Sequence, residues 1–77
     1  MPVVSAAMPD DTQAIELWPC GYAAQCRVQN CKARATTIAR GVDSGGRPTT
    51  QYELCDPHAE QLATREQRRG RQIILRP

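Results

Sequence analysis

Apolar and polar positions change their spacing along the chain, and the changes mark out short elements. Gln13 to Trp18 (QAIELW) is a brief apolar stretch that fits either a turn of helix or a short strand, and Pro19 ends either one. Ala33 to Val42 (ARATTIARGV) is rich in β-branched residues, and the turn-forming cluster Asp43-Ser44-Gly45-Gly46-Arg47-Pro48 follows it. Thr49 to Leu54 then alternates, with Thr50, Tyr52 and Leu54 on one face and Gln51 and Glu53 on the other. Together these segments predict a β-hairpin. Asp56-Pro57 reads as an N-cap followed by proline at the first helical position, Ala59, Leu62 and Ala63 form a narrow apolar stripe, and Gly70 stands where a C-terminal glycine belongs. The pattern predicts a helix from about Pro57 to Arg69. Arg71 to Pro77 (RQIILRP) would add a short strand or pack Ile73 and Ile74 onto the hairpin. Residues 1–12 show no sustained period and read as a flexible tail, leaving residues 13–77 as a single domain.

Composition shows what such a domain lacks. Isoleucine, leucine and valine number four each among 77 residues, phenylalanine is absent, and ten of the hydrophobic residues are alanines. Burial at about 25 cal/mol per Å² against roughly 1.5 kcal/mol of ordering entropy per residue leaves a chain this lean near zero stability, so it needs a staple. Four cysteines could supply one as disulfides or as metal ligands. Disulfides call for an oxidising compartment. Residues 1–11 carry no Lys or Arg, their apolar stretch is broken by Pro2 and Pro9, and acids follow, so neither an export signal nor a membrane span is expected. A reduced, cytoplasmic setting and a metal are the expectation.

The spacing supports the metal. Cys26, Cys31, Cys55 and His58 form C-x4-C-x23-C-x2-H, two close-set pairs separated by a length of chain that can fold back. One Zn²⁺ per chain, held tetrahedrally by three thiolates and an imidazole, would fill every coordination position and leave none for water or substrate. Cys20 lies six residues before Cys26 and competes with it, or with His58, as a ligand; its other reading is a small buried apolar residue.

In order, these pieces are a cysteine knuckle, a hairpin, and a helix whose first turn carries the second ligand pair. Over residues 26–69 this resembles the treble-clef class of zinc fingers, although those usually open with C-x2-C and Cys26 to Cys31 encloses four residues. The resemblance implies a small zinc-stabilised α+β fold. It also implies that Cys26 and Cys31 are the knuckle ligands, that Cys55 enters the helix, and that His58 binds from its first turn.

Catalysis finds little support. His58-Ala59-Glu60 reproduces the H-x-E element of zinc deaminases, but the P-C-x2-C pair that should follow is missing. Gly45-Gly46 has no phosphate-binding pattern around it. A non-enzymatic domain that binds a macromolecule is the expectation, with no small-molecule substrate. Charge suggests which macromolecule, since residues 1–25 carry net −3 and residues 26–77 net +5. Arg65, Arg68, Arg69 and Arg71 at the end of the predicted helix form a cluster suited to nucleic-acid phosphates. The alternative is a protein-interaction or homodimerisation module using Trp18, Tyr22 and the Ile73 to Leu75 run, although Trp18 and Tyr22 could equally complete the lean core.

Overall fold

In the computed structural model residues 7–77 are described, and they form a small α+β fold of four strands and one helix. The hairpin is β2 (Thr37–Val42) and β3 (Pro48–Leu54), paired antiparallel. Its turn is organised by Asp43, whose carboxylate accepts hydrogen bonds from the backbone N–H of Gly45 and of Arg47, both at 2.9 Å. Gly46 takes φ +80°, a conformation that glycine adopts without steric cost. A register shift at Gly41/Val42 bends the end of β2.

Residues 14–19 resolve as strand β1 (Ala14–Pro19), antiparallel to β2. The C-terminal run becomes strand β4 (Gln72–Leu75), but it does not pack on the hairpin. It pairs in parallel with the far side of β1, and the sheet order is β3-β2-β1-β4. Since β3 and β4 run in the same direction at opposite edges, the chain must cross one face of the sheet between them, and helix α1 (Asp56–Arg68) makes that crossing.

The helix begins one residue before the predicted start. Cys55, in an extended conformation, is the N-cap residue and makes no side-chain capping bond. Asp56, expected to cap, instead accepts hydrogen bonds from the hydroxyls of Thr36 and Thr37, which ties the first turn to the start of β2. The far end closes as a Schellman motif. Gly70 N–H reaches the Gln67 carbonyl and Arg71 N–H the Glu66 carbonyl, both at 3.0 Å, with Gly70 at φ +86°.

Ile15, Ala39, Leu54 and Leu62 form the fully buried centre, extended by Met8, Cys26, Cys55 and Ala59. The expected flexible tail is corrected here. Its residues 1–6 lie outside the described residues, but Met8 and Thr12 are buried, and Thr12 Oγ1 lies 2.8 Å from Thr49 Oγ1. Arg71 donates to the carbonyls of Thr12 and Pro9, at 2.9 and 3.1 Å, from 59 and 62 residues further along the chain. No periodicity in residues 7–12 announces this docking, because a single large apolar side chain, Met8, carries it. Gly41 makes room for it: a Cβ there would stand 2.7 Å from Thr49 Oγ1 and 3.1 Å from Met8 Sδ.

Trp18 and Tyr22 do not complete the core. Trp18 alternates with Ile15 and Leu17 and so projects from the face away from the helix, its indole N–H donating to Glu16 at 3.1 Å and Arg76 lying 5.8 Å from its ring centre. Tyr22 is exposed and donates its hydroxyl to Glu53 at 2.6 Å. Alanines 39 and 59 fill the centre instead, which lets the helix lie close to the sheet.

Candidate metal centre

Between β1 and β2 the chain makes a miniature hairpin. Cys26 N–H bonds the Ala33 carbonyl and Ala35 N–H the Ala24 carbonyl, both at 2.9 Å, so residues 24–26 run beside residues 33–35. Its tip is a β-turn closed by Cys31 N–H on the Val28 carbonyl at 3.0 Å, with Asn30 at φ +67°. Asparagine tolerates that left-handed conformation better than most residues. This turn is how a four-residue spacing still brings Cys26 and Cys31 to one side. Arg27 N–H then bonds the Glu53 carbonyl at 2.9 Å, and the knuckle is thereby fastened to the outer edge of β3, next to Cys55.

Four donor atoms converge at this junction. The Sγ atoms of Cys26, Cys31 and Cys55 and a ring nitrogen of His58 all lie within 4.8 Å of one another. His58 presents Nδ1, at 3.1 Å from Cys55 Sγ and 3.4 Å from Cys26 Sγ, while Cys31 and Cys55 Sγ are 3.9 Å apart. A tetrahedral Zn²⁺ with bonds of about 2.3 Å to sulfur and 2.0–2.1 Å to nitrogen gives S···S edges of about 3.8 Å and S···N edges of about 3.6 Å. The observed spacings fit that cage. They do not fit disulfides, in which sulfurs approach to about 2.05 Å, and all four cysteines are free thiols.

The electrostatics point the same way. Burial alone would push the Cys26 thiol up, but the backbone N–H groups of Cys55 and Val28, with His58 and the Cys55 side chain, bring it down to about 7. Cys55 is pushed up, first by its own burial and then by the neighbouring Cys26 and Cys31. Crowded thiols of this kind resist sharing negative charge, and a divalent cation among them relieves both the burial and the repulsion.

Cys20 stands outside the cluster. It is half-buried rather than buried, and its thiol donates to the Tyr22 carbonyl at 3.3 Å.

The four helix-end arginines are divided by Glu66, which is completely buried. Arg65 Nε contacts its carboxylate at 2.6 Å, Arg71 bonds its other oxygen, and Arg69 lies 3.7 Å away. Burial would raise the Glu66 carboxyl, and the hydrogen bonds from Arg71 and Arg65 outweigh it, holding the group below the usual carboxylate range. Arg71 is therefore an internal brace that joins the helix end to residues 9–12, which corrects its expected place on a phosphate-binding surface. Arg68 and Arg69 remain exposed and Arg65 half-buried. Glu66 is the residue sequence reasoning missed. It falls on the buried helical stripe, seven residues after Ala59 and four after Leu62, and an acid at such a position with arginines around it signals a buried ion cluster.

No protein-family model, curated protein or solved structure matches the chain. Among the described residues, no helix is long and apolar enough to cross a membrane.

Proposed function

We propose that Cys26, Cys31, Cys55 and His58 hold one Zn²⁺ in a closed structural site of treble-clef type, and that the domain is a non-catalytic binding module working in a reducing compartment. The observation that carries the metal reading is the convergence of three thiols and Nδ1 within 4.8 Å from three separate places in the chain. A three-sulfur, one-nitrogen set favours zinc over the oxygen-seeking cations, and four protein donors leave no position open for chemistry. The ion would join the knuckle, the end of β3 and the first turn of α1, supplying the cohesion that so few large apolar side chains cannot.

For the partner, nucleic acid is the reading we favour. Arg65 and Arg69 follow His58 by seven and eleven positions and so share its flank of the helix, with Arg68 beside them. Lys32 and Arg34 are exposed on the knuckle that supplies Cys31. This basic surface suits phosphates rather than base edges, and it predicts binding with little sequence preference. With Arg71 withdrawn, contacts from Arg65, Arg68 and Arg69 give an expected slope of log K against log salt of roughly −2 to −3. Titration of duplex DNA, single-stranded DNA and RNA across a salt series tests this. No binding to any of them at low salt would remove nucleic acid and favour a protein partner or a second copy, for which the exposed Tyr22, the half-buried Trp18 and the Ile73 to Leu75 run supply the apolar surface.

A further inference from the structure

The two edges of the sheet are finished differently. At β3, the strand begins with Pro48 and the knuckle covers part of the edge through the Arg27 N–H bond to the Glu53 carbonyl. At β4 no such protection exists among the described residues. Gln72 N–H and Arg76 N–H turn inward to the carbonyls of Gln13, just before β1, and of Leu17 on β1, so by strand alternation the N–H and C=O groups of Ile73 and Leu75 face outward. The strand reads Gln-Ile-Ile-Leu, without proline, lysine or a bulge, and Leu75 is 78% exposed. Natural sheets blunt such edges unless they are used.

Beside this edge, on the helix face, a groove of about 540 Å³ opens between α1 and the lower ends of β1 and β4. Leu17, Ala59, Ala63, Ile73 and Leu75 give it an apolar lining, to which Glu60 adds a carboxylate.

We propose that β4 pairs antiparallel with β4 of a second copy of this chain, joining two four-stranded sheets into one of eight strands. The strand is self-complementary about Ile74. Ile73 would exchange both backbone hydrogen bonds with Leu75 of the other copy, and Leu75 with Ile73, so every outward group on the edge is satisfied. The side chains of that second Ile73 and Leu75 would lie on the helix face, closing the open side of the groove. Charge selects a second copy over an unrelated strand. A two-fold axis through such a pair runs perpendicular to the sheet, so both helices lie on one face and point in opposite directions. The N-terminal half of α1 is acidic, with Asp56 and Glu60, and its C-terminal half is basic, with Arg65, Arg68 and Arg69. Antiparallel placement therefore sets the acidic half of each helix toward the basic half of the other. This inference is independent of the zinc reading and of the nucleic-acid reading.

Sedimentation equilibrium of the intact, zinc-loaded chain without nucleic acid is the test. The expected result is a concentration-dependent rise from 8.5 kDa to twice that mass. Leu75→Lys should abolish the rise while leaving the far-ultraviolet spectrum and zinc content intact, because the side chain is exposed in the monomer. Glu60→Arg should weaken association roughly five- to tenfold, since each copy contributes the altered contact, and adding Arg68→Glu should restore it. A chain that stays monomeric up to about 1 mM, the concentration at which even millimolar affinity shows, overturns the proposal. So does a dimer that survives Leu75→Lys, or a Glu60→Arg variant that associates as tightly as the native chain.

Discussion

Replacing Glu66 with glutamine removes the one negative charge on which the helix end and residues 9–12 both depend. Glu66 has no exposed surface, and its carboxylate is shared by Arg65 and Arg71, whose side chains are 25% and 14% exposed. Taking one partner from a buried ion cluster leaves charge without compensation and costs about 3–5 kcal/mol. The partial exposure of the arginines puts the expectation at the lower end, about 3 kcal/mol. A domain of this size has only about 4–12 kcal/mol in all, at roughly 0.05–0.15 kcal/mol per residue. At about 4–8 °C per kcal/mol, the midpoint of thermal unfolding should fall by about 12–24 °C. Circular dichroism melts with zinc held in excess measure this, and hydrogen exchange should show protection lost around Thr12 as Arg71 releases its carbonyl. The pH dependence carries a second signature. Because the folded carboxyl lies below its ordinary value of 4.5, its contribution is fully present above that value and is lost as pH falls through the lowered one. Acid would also compete with a metal for the cysteine sulfurs, so the native chain and the variant must be compared at each pH, and their difference should shrink on acidification. A loss under about 1 kcal/mol at neutral pH, or a difference that grows with acid, would refute the brace.

Three further outcomes are expected. Gly41→Ala should cost about 1–3 kcal/mol by crowding Thr49 and Met8, as overpacked sites do, read by urea denaturation; a stabilised variant would contradict the docking of residues 8–12 over β2. Cys20→Ser should leave zinc content unchanged and alter stability by no more than about 0.5 kcal/mol, the range of ordinary surface substitutions, whereas Cys26→Ser should lose the metal and the cooperative melt; the reverse pattern would move the ligand assignment to Cys20. Replacing Arg68 and Arg69 with glutamine should flatten the salt dependence of nucleic-acid binding, and an unchanged slope would send the contact elsewhere.

Local chemistry was legible where one residue type has one dominant use. The Asp43-Ser44-Gly45-Gly46 turn, the alternation of Thr50, Tyr52 and Leu54, and Gly70 as the helix stop are all encoded within a few residues, and the structure carries each of them. So is the pairing of Cys26 with Cys31 and Cys55 with His58, because close-set donors with a returning chain have few other uses. What was not legible depends on contacts distant in sequence. Nothing in Arg71 to Pro77 says that the strand joins β1 rather than the hairpin; that follows from where α1 delivers the chain. Arg71 looked like its neighbours at the helix end until Glu66 and the carbonyls of Pro9 and Thr12 claimed it. The size of Trp18 suits the core as well as a partner surface, and only strand alternation from Ile15 decides that it lies on the other face.

Cobalt substitution tests the metal centre most directly. Titrating the reduced, metal-free chain with Co²⁺ and then displacing it with Zn²⁺ should give one ion per chain, with thiolate charge-transfer bands and the intense visible absorption of a tetrahedral ion, and folding should follow the metal. Cys26→Ser, Cys31→Ser, Cys55→Ser and His58→Ala should each weaken or abolish that spectrum, and Cys20→Ser should not. A chain that folds cooperatively without metal, or that binds Co²⁺ equally well when Cys26 and Cys55 are replaced, would contradict the site.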